Sequence, residues 1–91
     1  MIKVRISEEA FEDLQDGFLF YEAQEPGLGE YFAASLRADI EGLKVTGGIH
    51  RLLGRVFPYA IFYTFGNQEV TIWAVIDCRR DPEWIRKHLD A

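Results

Sequence analysis

The stretch from Arg55 to Pro82 most constrains the fold, because nearly all of the strong strand-forming sequence lies in it. Tyr59–Phe65 (YAIFYTF) is almost continuously apolar, and Glu69–Cys78 (EVTIWAVIDC) is rich in β-branched and aromatic residues. Short apolar runs bounded by turn residues are typical of buried strands. Gly66-Asn67 lies between the two runs and predicts a hairpin turn. The rest of the chain must therefore pack against a two-stranded apolar ribbon.

The residues before this ribbon predict a further strand, two helices and a second strand. Ile2–Ile6 alternates apolar and charged side chains, which is typical of a strand with one buried face. Ser7 supplies an N-cap oxygen for the first helix, and Pro26-Gly27 ends that helix. The second helix is predicted from about residue 29 to residue 45, with Gly47 as a left-handed cap. A less regular strand follows, from Ile49 to Val56.

Each of the two predicted helices carries an apolar stripe with helical spacing. The stripes are Phe11, Leu14, Phe18 and Tyr21 in the first helix, and Phe32, Leu36, Ile40 and Leu43 in the second. Acidic residues of the first helix, including Asp13 and Asp16, fall largely on its remaining, solvent-facing side. Two amphipathic helices joined by a short turn form an antiparallel hairpin, and only the sheet offers a surface on which to bury their stripes.

Asp81 predicts the N-cap and Pro82 the first turn of a final helix with apolar Trp84, Ile85 and Leu89. The resulting order β-α-α-β-β-β-α predicts an α+β fold, in which a helical hairpin packs on a small, twisted, mainly antiparallel sheet. A chain of 91 residues without an internal linker or repeat is expected to form a single domain over residues 1–91.

Bulk properties narrow the class of protein. The sequence has no apolar run of the roughly 20 residues that a membrane helix needs, and no signal-peptide pattern, so we expect a cytoplasmic protein. Cys78 is the single cysteine, so there is no intrachain disulfide and no cysteine metal cluster, and no metal or cofactor is expected. A net charge of -5 and a pI near 4.9 argue against direct nucleic-acid binding.

Four segments resemble the RelE/ParE superfamily of toxins from bacterial type II toxin–antitoxin operons. VRISEEAFEDL is similar to the family's opening strand and first helix, and PGLGEYFAASL to its second helix. FPYAIFY is similar to the third strand, and VIDCRRDPEWI to the final strand and its exit. The resemblance covers essentially the whole chain, and FPYAIFY and RRDP are its more specific motifs. It is closer to the ParE-like branch than to the messenger RNA cleavers.

The resemblance implies the fold predicted above and an antitoxin partner whose C-terminal segment wraps the toxin. For the ParE-like branch it implies inhibition of DNA gyrase through protein binding. For the RelE-like branch it implies ribosome-dependent cleavage of messenger RNA. A third alternative is an inactive relative that only binds antitoxin. The fold alone does not distinguish these alternatives, so they have to be distinguished by the surface residues.

If the protein cleaves RNA, the resemblance implies that the candidate catalytic residues are Arg51, Arg55 and Arg80, because they are the nearest matches to the basic strand residues of RelE-like toxins. RNA cleavage by 2′-hydroxyl attack needs a base, an acid and cations around the phosphorane. The C-terminal tyrosine of the nuclease pattern is absent here, because no tyrosine follows Tyr63 and Trp84 occupies that region. This departure favours the ParE-like alternative.

Partner binding is predicted where aromatic rings and arginines meet, because an aromatic groove rimmed by arginines suits the helix or strand of another protein. The predicted binding residues are Arg79, Arg80, Tyr59, Tyr63 and Trp84. The chain has thirteen aromatic rings, so several are expected to line an exposed groove, and an aromatic core is the alternative.

Structural roles are predicted for one of the two adjacent arginines, Arg79 and Arg80, and for Trp73 and Cys78. One of the two adjacent arginines is expected to pair with Asp77 or Asp81 and to brace the step from strand to helix. Trp73 and Cys78 are expected to be buried, because both belong to the apolar second strand.

Overall fold

The computed structural model describes residues 3–43 and 48–90, and for residues 48, 49 and 90 it describes the backbone only. Seven elements follow one another: β1 (Lys3–Ile6), α1 (Glu8–Gln24), α2 (Leu28–Glu41), β2 (Gly48–Leu53), β3 (Tyr59–Gly66), β4 (Glu69–Asp77) and α3 (Pro82–Asp90). This is the order predicted from the sequence. The prediction of the end of the second helix is wrong: α2 ends at Glu41 with Gly42 as its C-cap, and the predicted cap, Gly47, lies outside the described residues.

The four strands form one sheet in the order β1-β4-β3-β2. β2, β3 and β4 pair antiparallel, whereas β1 lies parallel to β4, so the sheet is mainly antiparallel as predicted. The β3–β4 turn is centred on Asn67 and Gln68, one residue later than predicted, and both residues have positive φ. A two-residue turn with positive φ at both positions has a twist that matches the flanking strands.

β1 is much shorter than its neighbour. It pairs only with Glu69–Ile72, so the β4 segment from residue 73 to residue 77 has no strand partner on that side. Ser7 follows β1 directly, and its N–H donates to the Ile72 carbonyl at 2.9 Å. The Ser7 hydroxyl donates to the Trp73 carbonyl and accepts from the Ala10 N–H, both at 3.1 Å. The predicted N-cap is confirmed, and it also ties α1 to the sheet.

The core lies between the helical hairpin and one face of the sheet. Its fully buried side chains include Phe32 and Leu36 from α2 and Ile61 and Ile72 from the central strands. Much of the aromatic content is in this core: Tyr21, Phe32, Phe57 and Tyr59 form a ring cluster whose neighbouring centroids lie 4.8–5.2 Å apart. The stripe predicted for α2 is thus confirmed at Phe32, Leu36 and Ile40, whereas Leu43 lies beyond the end of the helix.

The stripe predicted for α1 is wrong at Phe11, which is 59% exposed. The buried residues of α1 are Ala10, Gly17 and Tyr21. A Cβ built on Gly17 would lie 2.5 Å from the Phe32 ring, so the helices approach closely where a glycine faces a phenylalanine. That close approach turns the face of α1 away from Phe11.

Three further burial predictions are wrong. Val4 and Ile6 lie on the helix-facing side of β1, but at the sheet edge they remain 50% and 40% exposed. Trp73 is half exposed, because the pairing register shifts between Phe62 and Tyr63 and leaves Trp73 as an extra residue on β4. Cys78 follows the end of β4 and is exposed. None of the described helices is long and apolar enough to cross a membrane.

We predict that Gly17→Ala destabilises the protein by about 1–3 kcal/mol, because the added methyl group overpacks the core against Phe32. This loss should exceed the gain of about 1 kcal/mol in helix propensity. Urea unfolding gives the free energy of unfolding of both proteins. Gly66→Ala is the control, since a Cβ there meets nothing within 4 Å. A Gly17→Ala variant as stable as the wild type would contradict the close approach of the helices.

Candidate functional site

The residues predicted to bind a partner concentrate at the end of the sheet where β3 begins and β4 finishes. We call this region the arginine end and define it by Arg55, Tyr59, Asp77, Arg79 and Arg80. Tyr59 pairs with Asp77 across the two strands, and the Cys78 N–H donates to the Pro58 carbonyl at 2.8 Å. Both arginines that follow β4 therefore leave the sheet beside the start of β3.

Arg79 braces the arginine end through its hydrogen bonds. Its Nε and Nη2 donate to the two carboxylate oxygens of Asp77, both at 3.0 Å, and Nη2 also donates to the Tyr21 hydroxyl at 3.0 Å. Burial raises the pKa of Asp77, but the hydrogen bonds from Arg79 outweigh it and hold the pKa below its ordinary value. The predicted pairing of one arginine with Asp77 is confirmed, and Arg79 links β4 to α1.

Arg80 precedes α3, and its side chain packs against that helix. Its guanidinium carbon is 4.4 Å from the centroid of the Trp84 ring, a cation–π geometry. Trp84 stacks on His88 with centroids 4.8 Å apart and an interplanar angle of 10°. His88 Nε2 lies 2.9 Å from Asp13 Oδ1 on α1. We call Asp13, Arg80, Trp84 and His88 the α3 anchor, because these contacts fasten α3 to the rest of the fold.

Asp13 has a role that the sequence did not predict. Its second carboxylate oxygen, Oδ2, accepts the Val75 N–H at 3.0 Å, at the β4 edge beyond the end of β1. The side chain is 10% exposed, so its prediction as a solvent-facing carboxylate is wrong. Burial raises the pKa of Asp13, although the bonds from Val75 and His88 oppose the shift. One carboxylate thus joins α1, β4 and α3.

A cavity of about 310 Å³ lies between α1, the free edge of β4 and α3. Its walls combine carboxylates, a cation, an imidazole and aromatic rings, among them Asp13, Asp16, Asp77, Arg80, His88 and Trp84. The Tyr59 ring also lines the cavity. Burial of the Tyr59 hydroxyl raises its pKa, and the nearby charge of Asp77 is the second cause of this rise. Within residues 3–43 and 48–90, no group of three or more His, Cys, Asp and Glu side chains could hold a metal ion.

The structure separates the remaining predicted site residues. Arg51 is exposed on β2, where it pairs across from Phe62 on the sheet face that is turned away from the helices. Arg55 is exposed in the turn after β2, and its N–H donates to Asp39 Oδ2 at 3.2 Å. Tyr63 is buried, with its ring centroid 5.3 Å from that of His50. The three candidate nuclease arginines therefore occupy three different settings.

Exposed rings at the arginine end come mainly from residues that the sequence did not single out. Tyr59 and Tyr63 are 6% and 5% exposed, so neither offers much surface to a partner. Phe20 and Tyr31 are both more than half exposed, and their rings pack on Tyr21 and Phe57 respectively. We call these two rings and Trp84 the aromatic surface; Phe20 and Trp84 line the same cavity, whereas Tyr59 and Tyr63 belong to the core.

We predict that Asp13→Ala destabilises the protein by about 1–3 kcal/mol, because the Val75 N–H and His88 lose their shared partner. Thermal or urea unfolding measures the loss. Asp16→Ala is the matched control: Asp16 is an exposed carboxylate one turn along the same helix, and its removal should change stability by less than about 0.5 kcal/mol. Equal effects of the two substitutions would contradict the anchoring role of Asp13.

We also predict that Asp77 contributes to stability in a pH-dependent way. Because its folded pKa lies below the ordinary value of 3.8, its contribution is present above that value and is lost as the pH falls through the folded pKa. Asp77→Asn should therefore be less stable than the wild type at neutral pH, by less than about 1 kcal/mol since Arg79 is half exposed. The difference should vanish in acid, and a difference that persists there would contradict the ion pair.

Comparison with known proteins supports the fold. No protein-family model matches the chain, and no curated protein matches its sequence. A chain in the solved structure of the chromosomal ParDE toxin–antitoxin (TA) system from P. aeruginosa superimposes on it with a TM-score of 0.73, covering 85% of this chain and 96% of that chain at 13% sequence identity. At this identity the likeness concerns the fold, and it confirms the α+β architecture predicted from the sequence.

Proposed function

We propose that this chain is the toxin of a type II toxin–antitoxin system and that it inhibits DNA gyrase by binding to it. The observation that carries the proposal is the shared fold with a chain of a ParDE system over most of both chains. The sequence words FPYAIFY and RRDP, which lie at the start of β3 and the end of β4, support the same branch. Such a protein acts in a bacterial cytoplasm, where gyrase works.

The arginine end supports binding of an antitoxin segment. Exposed Phe20, Tyr31 and Trp84 offer apolar surface, and Arg55 and Arg80 offer cations at its rim. Arg79 already has two acceptors, so it positions Asp77 and Tyr21 and leaves the charged contacts to the other arginines. An apolar segment with acidic residues would match this surface, since buried aromatic anchors ringed by charge are typical of binding hot spots.

The geometry supports the ribonuclease alternative less well. Arg80 and His88 share a cavity, and a histidine beside an aspartate could move protons. However, carboxylates from Asp13, Asp16 and Asp77 line the same cavity. Carboxylates that line the cavity would repel a phosphodiester bound there, and the repulsion would increase in the transition state, where the phosphodiester gains negative charge. Protein binding is therefore the activity that the site supports best.

We predict that the purified protein inhibits supercoiling by purified gyrase and that the small protein encoded beside its gene reverses the inhibition.

Arg80→Ala should weaken antitoxin binding at least tenfold, because the cation at the rim of the aromatic surface is lost; titration calorimetry measures this. Lys87→Ala is the matched control, since Lys87 is an exposed cation in the last turn of α3 and lies outside the α3 anchor.

Three results would overturn parts of this proposal. Unaffected supercoiling at micromolar protein would exclude gyrase as the target. New messenger RNA ends in induced cells, mapped by primer extension, would establish the ribonuclease alternative instead. Normal growth on induction, with antitoxin binding intact, would identify an inactive relative that only binds antitoxin.

A further inference from the structure

Charge is segregated between the two layers of this protein. α1 and α2 together carry nine acidic residues and one basic residue. Among the strand residues that the structure describes, the opposite side of the sheet, which we call the outer face, carries Lys3, Arg5 and Arg51 with a single acid, Glu69. The outer face is therefore positive on a chain whose net charge is -5.

Strand register defines the outer face row by row. In one row Arg5 pairs with Thr71, which pairs with Thr64. In the next row Arg51 pairs with Phe62, which pairs with Ala74. Cations thus lie on the two edge strands, β1 and β2, and threonine, alanine and phenylalanine side chains lie on the two central strands between them. The outer face therefore has aromatic side chains near its centre and basic side chains along its edges.

Trp73 is the centre of this surface. It is the extra residue of the β4 bulge and is 50% exposed. Its Nε1–H donates to Thr64 Oγ1 on the neighbouring strand at 2.8 Å, so the only polar atom of the indole is already used within the sheet. The hydrogen bond holds the ring in place before anything binds. A fixed aromatic ring loses little conformational entropy on binding, which is typical of an anchor residue.

We propose that the outer face docks an acidic surface of the toxin's protein target, with Trp73 as the apolar anchor and Lys3, Arg5 and Arg51 as the charged contacts. The inference rests on the proposed function, since it assigns the face on which that target sits. It also separates two surfaces: the arginine end receives the antitoxin segment, and the outer face receives the target. Charge complementarity selects the occupant, because acids on the helical layer would repel the same partner from the other side.

A protein occupant fits this face better than a nucleic acid. Binding along a phosphate backbone relies on neutralising many phosphates, and three cations beside an acidic residue supply few such contacts. The nine acids of the helical layer add a repulsion that extends over a long polyanion. A compact acidic patch on a protein needs only a few charged pairs around one apolar anchor.

The test compares two outer-face variants with matched changes on the helical layer. Trp73→Ala is paired with Phe11→Ala, since both rings are exposed to a similar extent, and Arg5→Glu is paired with Arg37→Glu, since both arginines are exposed. Growth arrest on induction, binding to purified gyrase and binding to the antitoxin are measured for each full-length variant. Thermal unfolding confirms that all four variants are folded.

The outer-face variants should bind gyrase at least tenfold more weakly and lose growth arrest, with antitoxin affinity unchanged. The control variants should match the wild type in all three measurements. The effect of Arg5→Glu should shrink as salt rises above about 0.1 M, because exposed charge pairs are then screened. Trp73→Phe should retain most of the binding, because it keeps an aromatic ring at the anchor position.

Growth arrest by both outer-face variants at the wild-type level would overturn the inference. So would an outer-face change that weakens antitoxin binding as strongly as target binding, since the two surfaces would then be one. Tight binding of a short oligo(U) strand that depends on Trp73 would assign the face to nucleic acid. If the wild type arrests growth without binding gyrase, the gyrase proposal fails while the growth comparison still tests the outer face.

Discussion

The mismatch in length between β1 and β4 determines much of this structure. β1 ends at Ile6, opposite Ile72, and β4 continues to Asp77 without a strand on that side. Unpaired backbone groups at a sheet edge need other partners when they are shielded from water. Ser7 and Asp13 provide them, so the first turns of α1 complete the sheet edge that β1 leaves open. The position of α1 and the attachment of α3 both follow from this substitution of a helix for a strand.

Local patterns were enough to predict the order of the elements, although α2 and β2 end earlier than predicted, at Glu41 and Leu53. Ser7 capped the first helix, Gly27 adopted the positive φ that its turn requires, and the α2 stripe was buried as its spacing indicated. The apolar runs of β3 and β4 paired as a hairpin. These features depend on residues close together in the sequence, where turn and capping chemistry decide the backbone.

Burial was harder to predict, because it depends on how elements meet. Phe11 had the right spacing for the core, yet the contact of Gly17 with Phe32 turned the buried face of α1 away from it. Trp73 lay in a strongly apolar strand, yet a one-residue bulge moved it to the outer face. Asp13 looked like a solvated carboxylate, because nothing in its own helix reveals a bare strand edge beside it. The pairing of an arginine with Asp77 was predicted, since the partners lie two residues apart.

Attachment through Asp13 has a consequence for how the protein moves. Polar and ring contacts attach α3, and its apolar residues Trp84 and Leu89 are 37% and 42% exposed while Ile85 is partly buried, so limited hydrophobic burial opposes its release. Elements with few buried contacts open well below the free energy of global unfolding. Release of α3 would free one oxygen of the carboxylate that also protects the Val75 amide. Undocking of α3 would therefore remove one of the two contacts that hold the Asp13 side chain at the edge of β4.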